Sequence, residues 1–276
     1  MISGKTMQTY LTENQEYKKI IEDITEVAGM LWQKGWAERN AGNLSYNISH
    51  LFEEELPNTD FEPFQPLNTV YPHLADAMLL VSATGSRMRD LAKNPYGNIC
   101  IINLDNEGRR YRHMRIPDTG NLLQPTSEFP AHLAIHEMLK TAGRTEKVIV
   151  HTHPDNLLSL SHIPDFCDEE TLNNMLWSMQ PETLVFVSEG IGFVPYMMTG
   201  SEALARATID KLENHRVIMW EKHGCLAVGN TANEAFDLLD VLDKSASLFF
   251  TCKSAGYEAR GISKNDLDEL RKKFNV

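Results

Sequence analysis

The sequence predicts a single α/β domain spanning residues 1–276, built on a mixed, largely antiparallel central sheet with helices on both of its faces. Three observations support this fold class. Helical and extended patterns alternate along the chain, two apolar runs flank a hairpin-like turn, and no G-x-G-x-x-G turn of a dinucleotide-binding fold occurs. Two half-sized domains are the alternative, and residues 1–16 are expected to be peripheral.

The first half of the chain predicts one helix followed by strands. Apolar residues recur at i, i+3, i+4 and i+7 between Tyr17 and Leu31, as on one buried helical face, and Gly35 is suited to end that helix. The proline-rich residues 53–72 are expected to form an extended surface connection. Asp105-Asn106-Glu107-Gly108 predicts the hairpin turn. The predicted strands are 44–49, 77–83, 99–104 and 109–114.

The second half continues the alternation. A helix over 128–140 is predicted because Thr126-Ser127 precedes it and Pro130 is tolerated in a first turn. Thr231-x-x-Glu234 has the pattern of a capping box and predicts a long helix that ends near Ala255. Between these two helices, the predicted elements are strand 147–152, helices 156–161 and 171–179, strand 183–188, helix 202–213, and strands 216–220 and 225–228.

Composition excludes several classes of protein. Apolar residues make up 42% and charged residues 23% of the chain, so a sizeable core can form. A formal charge of -12 argues against a nucleic-acid partner, and no apolar run approaches the ~20 residues of a membrane span. The polar N-terminal segment resembles no cleaved signal, so a cytoplasmic protein is expected. The widely spaced cysteines argue against disulfides or a thiolate zinc site: Cys100, Cys167, Cys225 and Cys252.

The most informative motif is His151-Thr152-His153, at the end of an apolar strand. In extended backbone, both imidazoles lie on one face, which suits two ligands of one metal ion. His223 ends another apolar strand, and neighbouring strand ends would bring it beside the pair. Three neutral nitrogens with open coordination positions describe a catalytic zinc centre. Histidines that merely line a strand end are the alternative.

The helix after Ser127 offers further candidates. Glu128 lies at its mouth, where a carboxylate can project into a cleft, although an acidic residue favoured by the helix dipole is an equal alternative. His132 and His136, at i and i+4, share one helical face. Without the H-E-x-x-H motif, we interpret them as structural histidines rather than metal ligands.

Two turns of small residues are suited to bind phosphate. Asn40-Ala41-Gly42-Asn43 joins a helix to a strand, and Thr84-Gly85-Ser86 follows a strand. Both can direct backbone N–H groups and polar side chains at one anion. Each turn alone is weak evidence, because ending a helix or breaking a hairpin requires the same residues.

Taken together, these motifs resemble the class II aldolases of the adducin superfamily. They occur in the family's order, and the resemblance extends from about Tyr17 to Val276. The motifs are Arg39-Asn40-Ala41-Gly42-Asn43-Leu44, Thr84-Gly85-Ser86, Pro125-Thr126-Ser127-Glu128-Phe129-Pro130-Ala131-His132, His151-Thr152-His153 and Lys222-His223-Gly224. The chain departs from the pattern at Arg87, where similar members carry glycine; no role is assigned to this arginine.

The resemblance implies roles for individual residues. One Zn²⁺ per subunit would be bound by His151, His153 and His223, and Glu128 would be the catalytic carboxylate. Glu182 would act from a neighbouring subunit on the aldehyde-side hydroxyl group. The substrate phosphate would be held by Asn40, Gly42, Asn43, Ser86 and Ser127.

The resemblance also implies the reaction and the assembly. A small-molecule ketose 1-phosphate would be cleaved reversibly to dihydroxyacetone phosphate and L-lactaldehyde, by a homotetramer with sites at its subunit interfaces. Neither nucleic acid nor membrane is expected as a partner. The alternatives are an aldolase or epimerase for another sugar phosphate, such as L-fuculose 1-phosphate or ribulose 5-phosphate, and a non-catalytic adducin-like interaction module. A zinc hydrolase is the remaining class, and the chain lacks a helical zinc motif for it.

Overall fold

The structure is a computed structural model that describes residues 11, 13–52, 61–114 and 122–276. The prediction that residues 1–16 are peripheral falls mainly on residues outside this set, as does part of the predicted connection over 53–72. Within the described part, the first long helix already begins at Gln15, and Asn14 caps it by accepting a hydrogen bond from the Tyr17 N–H at 3.0 Å.

The described elements alternate as the sequence predicts. The helices are α1 Gln15–Gln33, α2 Met88–Leu91, α3 Phe129–Thr141, α4 Asp155–Leu160, α5 Glu169–Met179, α6 Pro181–Phe186, α7 Glu202–Leu212, α8 Ala232–Ser254 and α9 Lys264–Phe274. The strands are β1 Asn43–Asn47, β2 Gln65–Pro66, β3 Met78–Ser82, β4 Ile99–Leu104, β5 Arg110–Met114, β6 Val148–Thr152, β7 Ile191–Val194, β8 Val217–Trp220 and β9 Gly224–Gly229.

These strands form one mixed sheet in the order β2-β5-β4-β3-β1-β6-β9-β8-β7. Antiparallel pairs join β1 to β3, β3 to β4, β4 to β5, β2 to β5, and β8 to β9, whereas β7 and β8 run parallel. The predicted mixed, largely antiparallel sheet is therefore confirmed. No helix of the described residues combines the length and the apolar character that crossing a membrane requires.

The chain divides into two compact units. Unit one comprises residues 1–150 and 229–233, and unit two comprises residues 151–228 and 234–276. The assignment of all 276 residues to a single domain stays a prediction.

Unit one is organised around the central antiparallel strands β1, β3 and β4. Ser45 of β1 lies opposite Val81 of β3, and Val81 lies opposite Cys100 of β4. Alternate residues along β3 and just after it enter one apolar cluster, as expected for a strand buried on this face: Leu79, Val81 and Ala83 pack with Cys100, Ile102, Leu104, Phe129 and Leu133. Helix α3 is thereby held against the sheet by its first turn.

The predicted helix and hairpin of this unit are both confirmed. Helix α1 buries the residues that define its apolar stripe, and Gly35 follows with φ of 79°. In the hairpin, the Asp105 carboxylate accepts hydrogen bonds from the Arg109 and Arg110 backbone N–H groups and from the Arg110 guanidinium. Burial raises the pKa of Asp105, but these hydrogen bonds outweigh it and lower the pKa to about 2.

Unit two contains the strands β7, β8 and β9 and most of the C-terminal helices. Its strands are entirely buried. Ser201 caps α7 by accepting from the Leu204 N–H, and Asp168 caps α5 by accepting from the Thr171 N–H. The C-terminal helix α9, capped by Ser263, was not predicted from the sequence.

One predicted strand of unit two is wrong. Residues 183–188 were expected to be extended, but Pro181–Phe186 forms the helix α6, with Pro181 at its first position. Proline is pre-organised for that position because its φ is fixed and its missing N–H would have no helical partner. The strand of this region lies farther on, at Ile191–Val194. The short apolar run was compatible with either structure.

A substitution at Gly108 tests how closely the hairpin turn packs against Tyr71. Its φ is +64°, and a Cβ atom there would lie 2.0 Å from the Tyr71 carbonyl oxygen. We expect Gly108→Ala to lower the free energy of unfolding by at least about 3 kcal/mol, because backbone strain and a backbone clash coincide. Urea denaturation of the purified protein measures the change.

The matched control is Gly143→Ala. Gly143 has nearly the same φ of +65°, but a Cβ atom there meets nothing within 4 Å. Gly143→Ala should lower the free energy of unfolding by only about 1 kcal/mol, which is the cost of the left-handed conformation. Equal losses in the two variants would contradict the close approach of the turn to Tyr71.

Candidate functional site

Unit two brings the three predicted metal ligands together. His151 lies near the end of β6, His153 follows two residues later, and His223 lies in the turn between β8 and β9. Their ring centroids are 4.9–5.6 Å apart. One potential ligand atom from each imidazole lies within 4.8 Å of the others, close enough for all three to face a single ion.

The surroundings of His151 favour the form of the ring that binds metal. Burial, together with the neighbouring His223 and His153 rings, holds the pKa of His151 well below its usual range, so the ring is neutral near pH 7. Its Nδ1 lies 2.9 Å from the Cys225 carbonyl oxygen. A neutral imidazole must donate through Nδ1 to make this bond, which leaves the Nε2 lone pair available to a cation.

Trp220 supports two of the three rings and was not singled out from the sequence. Its ring stacks on His223 at a centroid distance of 5.0 Å and an interplanar angle of 25°, and it lies 4.7 Å from His151. The indole is itself fixed, because Nε1 donates to Thr208 Oγ1 at 2.8 Å. Its only sequence signal was its position at the end of a strand, three residues before His223.

The turn that carries His223 is anchored through its backbone. The Lys222 residue adopts a φ of +57°, and its N–H donates to Ser161 Oγ at 2.9 Å. The N–H of Glu221 donates to the Val194 carbonyl oxygen, and that of His223 donates to the Trp220 carbonyl oxygen. This turn therefore has little freedom to rotate His223 away from the cluster.

The segment after His153 is anchored as well. Helix α4 begins at Asp155, and the Asp243 carboxylate accepts from the backbone N–H groups of Asn156 and Leu157 at 3.0 and 3.1 Å. It also accepts from the Asn156 side chain at 2.8 Å. A carboxylate at a helix N-terminus is favoured by the helix dipole, so Asp243 of α8 fixes the chain just past the second ligand.

Unit one holds the predicted catalytic carboxylate. Glu128 is the residue before α3, yet its carboxylate makes no capping hydrogen bond to that helix. Instead, Glu128 Oε2 accepts from Asn43 Nδ2 at 3.0 Å. Asn43 Oδ1 lies 2.6 Å from His132 Nε2. The asparagine that the resemblance assigns to phosphate is therefore also a hydrogen-bonding partner of Glu128.

The histidine pair of α3 is buried and hydrogen-bonded within unit one. His132 and His136 are 1% and 2% exposed, and both contact the hydroxyl of buried Ser45, at 2.7 and 2.8 Å. Burial and the neighbouring His132 lower the pKa of His136 to about 3. Among the described residues, neither belongs to a group that could hold a metal ion.

The predicted phosphate-binding turns converge at one end of the β1–β3 pair. Buried Ser82 joins them, because its Oγ accepts from the Leu44 N–H and its carbonyl oxygen accepts from the Thr126 N–H. The Thr84 N–H donates to the Gln124 carbonyl oxygen at 2.8 Å. The segments that carry Asn43, Ser86 and Ser127 are thus adjacent. Ser82 was not predicted as a site residue.

The individual phosphate candidates differ in exposure. Asn40 and Ser127 are exposed, Gly42 and Ser86 are half-buried, and Asn43 is buried. Gly42 has a φ of +77°, and Gly85 in the second turn has one of +73°, so both turns need the left-handed conformation that glycine supplies. Their roles in binding phosphate stay predictions.

Glu182 lies in unit two, in the first turn of α6, and is exposed. The structure describes one chain, so the predicted action of Glu182 on a neighbouring subunit's substrate stays a prediction. The exposure of its carboxylate is what such a role requires.

The donor set of the histidine cluster fits a transition-metal ion. Imidazole nitrogen suits zinc and similar metals, whereas Mg²⁺ and Ca²⁺ take oxygen ligands. Three protein ligands leave at least one position of a tetrahedral ion open, as in catalytic zinc sites. The arrangement can therefore hold a Lewis acid that remains accessible to a substrate.

Comparison with known proteins agrees with this chemistry. Residues 22–250 match the family described as the class II aldolase and adducin N-terminal domain. A rhamnulose-1-phosphate aldolase of Bacteroides thetaiotaomicron is 38% identical over 98% of this chain and 99% of its own length. One from Pectobacterium atrosepticum is 32% identical over 93% of each chain. The crystal structure of a Thermotoga maritima sugar-phosphate aldolase is 34% identical and superposes with a TM-score of 0.76, covering 89% of this chain and 100% of that one.

A substitution at Gly224 tests the packing of the histidine cluster. A Cβ atom at this position would lie 2.6 Å from His153 Cδ2 and 2.6 Å from the Thr152 carbonyl oxygen. We expect Gly224→Ala to displace His153 and weaken zinc binding at least about tenfold, as loss of a supporting residue commonly does. Titration against a chromogenic zinc chelator gives the dissociation constant.

The control variant is Gly256→Ala, also in unit two, where a Cβ atom meets nothing within 4 Å. Its zinc affinity should match that of the wild type. Unaltered affinity in Gly224→Ala would show that the three histidines are not packed against this glycine.

Proposed function

Because this chain belongs to the class II aldolase and adducin family, we propose that it is a metal-dependent aldolase that cleaves L-rhamnulose 1-phosphate reversibly to dihydroxyacetone phosphate and L-lactaldehyde. The pathway served is the breakdown of L-rhamnose. The observation that carries the proposal is the cluster of His151, His153 and His223, whose ligand atoms lie within 4.8 Å of one another in a chain related over its whole length to such aldolases.

The proposed cofactor is one Zn²⁺ per subunit, held by the three histidines. A bound ion supplies positive charge that stabilises the negative charge developing on the substrate as its C3–C4 bond breaks. The protein's contribution is to keep His151 neutral and to hold the ligands in place. Burial keeps His151 neutral, and Trp220 and the Lys222 turn hold His223 in place.

Two carboxylates are proposed to move the protons. In cleavage, the C4 hydroxyl loses its proton, the C3–C4 bond breaks as C4 becomes the aldehyde carbon, and the electron pair left on C3 takes up a proton. In cleavage, Glu128 delivers the proton to C3, and in the reverse reaction it removes that proton. Glu182 of a neighbouring subunit accepts the C4 hydroxyl proton in cleavage. General acid–base catalysis of this kind contributes ~10²–10⁴-fold to a rate.

The substrate phosphate is proposed to bind at the converging turns of unit one. The residues are Asn40, Gly42, Asn43, Ser86 and Ser127. Backbone N–H groups, hydroxyls and amides at short range can hold a dianion even though the chain has a net charge of -12, because the diffuse repulsion is screened by salt over a distance of ~10 Å.

We also propose a cellular location, a domain organisation and an assembly for the enzyme. We place it in the cytoplasm, as one domain per chain and as a homotetramer with active sites at its subunit interfaces. The exposure of Glu182 supports the interface, because a carboxylate that acts on a neighbouring subunit's substrate must be accessible from outside its own chain.

An assay that couples dihydroxyacetone phosphate to NADH oxidation tests substrate and metal together. L-rhamnulose 1-phosphate, L-fuculose 1-phosphate and ribulose 5-phosphate are offered with and without a chelator. We expect the highest kcat/KM with the rhamnulose ester, loss of cleavage in the chelated protein, and recovery on adding Zn²⁺.

The outcomes separate the alternatives. Preference for L-fuculose 1-phosphate would reassign the sugar. Conversion of ribulose 5-phosphate to its epimer, followed by proton NMR because it releases no dihydroxyacetone phosphate, would change the reaction. Full cleavage by demonstrably metal-free protein would contradict the proposed chemistry. A properly folded chain that neither binds metal nor converts any of the three sugar phosphates would be an adducin-like interaction module.

A further inference from the structure

An unbroken chain of hydrogen bonds runs through unit one from His136 to Glu128. His136 Nε2 lies 2.8 Å from Ser45 Oγ, which lies 2.7 Å from His132 Nδ1. His132 Nε2 lies 2.6 Å from Asn43 Oδ1, and Asn43 Nδ2 lies 3.0 Å from Glu128 Oε2. We call these five residues the Glu128 relay.

The direction of each bond in the Glu128 relay is fixed by its last member. A carboxylate can only accept, so Asn43 donates through Nδ2 and accepts through Oδ1. His132 must then carry its proton on Nε2, and as a neutral ring it accepts on Nδ1. The Ser45 hydroxyl donates to that nitrogen and accepts from His136 Nε2–H. Every bond has one donor and one acceptor with both rings neutral.

Burial makes this arrangement rigid. Ser45, His132 and His136 are at most 2% exposed, and Asn43 is 7% exposed. A buried polar group that loses its partner has no water to replace it, so each member holds the next in a single orientation. The pKa of His136, lowered to about 3 first by desolvation and then by His132, agrees with a neutral ring at the inner end.

Packing alone does not require this set of residues. Apolar side chains would fill the space between β1 and α3 without the cost of burying four polar groups. The chain of bonds ends on a half-buried carboxylate that makes no capping hydrogen bond to its own helix. The ordered groups thus lead to the carboxylate that the proposed reaction uses for proton transfer at C3.

We propose that His132, Ser45 and His136 are positioning residues that orient the Glu128 carboxylate, through Asn43, for proton transfer at C3. They touch no substrate. This inference rests on the proposed function, and it adds that the proton-transfer step depends on residues buried beneath the site.

The test follows the partial reaction that needs Glu128 without bond cleavage. In D₂O, zinc-loaded protein should exchange a hydroxymethyl proton of dihydroxyacetone phosphate for deuterium. This carbon is the one that becomes C3 of the ketose. Glu128 removes the proton, exchanges it with solvent and returns a deuteron to the same carbon. Proton NMR gives kcat and KM for this exchange. Metal content and melting temperature are measured on every variant.

Three relay variants and two references make up the set. Ser45→Ala breaks the middle of the relay, His132→Phe removes its link to Asn43, and His132→Gln retains an N–H near the position of Nε2. Glu128→Gln is the catalytic reference. Leu133→Ala is the structural control, because Leu133 is a fully buried neighbour on the same helix and lies outside the relay.

We expect Ser45→Ala and His132→Phe to lower the kcat of exchange by about tenfold or more, a larger change than in KM, with full zinc content, since small misplacement of a catalytic group is costly. His132→Gln should recover most of the rate. Glu128→Gln should lower the kcat of exchange ~10²–10⁴-fold. Leu133→Ala should melt at a lower temperature and exchange at the wild-type rate.

Two results would overturn the inference, and they are distinguishable from failure of the proposed function. Exchange at the wild-type rate in Ser45→Ala and His132→Phe would remove the relay from catalysis. An equal loss in Leu133→Ala, scaling with melting temperature, would reduce it to a structural role. If wild-type, zinc-loaded protein exchanges nothing, the proposed function fails first and the positioning role falls with it.

Discussion

The need to direct three imidazoles at one point constrains much of unit two. His151 is neutral because it is buried, and its hydrogen bond to Cys225 fixes which nitrogen is available. His223 depends on the anchored turn at Lys222 and on the face of Trp220. Gly224 must lack a side chain because His153 occupies the space where Cβ would lie. Backbone geometry and ring electrostatics therefore serve one purpose, which is to present a preformed donor set.

Unit one carries the predicted catalytic carboxylate and the turns predicted to bind phosphate, in a chain with a net charge of -12. Both features depend on short-range interactions between neighbouring segments. The Asn43 amide donates to the Glu128 carboxylate, and the glycine-containing turns at Gly42 and Gly85 lie at one end of the β1–β3 pair. Ser82 joins these segments by bonds to both the β1 backbone and the chain before α3. Net charge thus says little about which small ligands the protein accepts.

Sequence patterns predicted the features that depend on local periodicity or on a spaced motif. The stripe of α1, the Asp105–Gly108 hairpin and the convergence of His151, His153 and His223 are confirmed. The strand predicted at 183–188 is a helix, because a short apolar run has no decisive period and Pro181 decided the outcome. Trp220, Ser82 and the Glu128 relay could not be predicted, because they arise only when distant segments pack together. Similarly, i and i+4 spacing placed His132 and His136 on one face, but only the fold reveals Ser45 between them.

The claim on which the other conclusions depend is that the three histidines bind one catalytic metal ion. The most direct measurement is the zinc content of exhaustively dialysed protein, compared between the wild type and His223→Ala, with circular dichroism to verify the fold. We expect about one zinc ion per chain in the wild type and almost none in the variant. Folded wild-type protein that retains no zinc, or a variant that retains as much as the wild type, would contradict it.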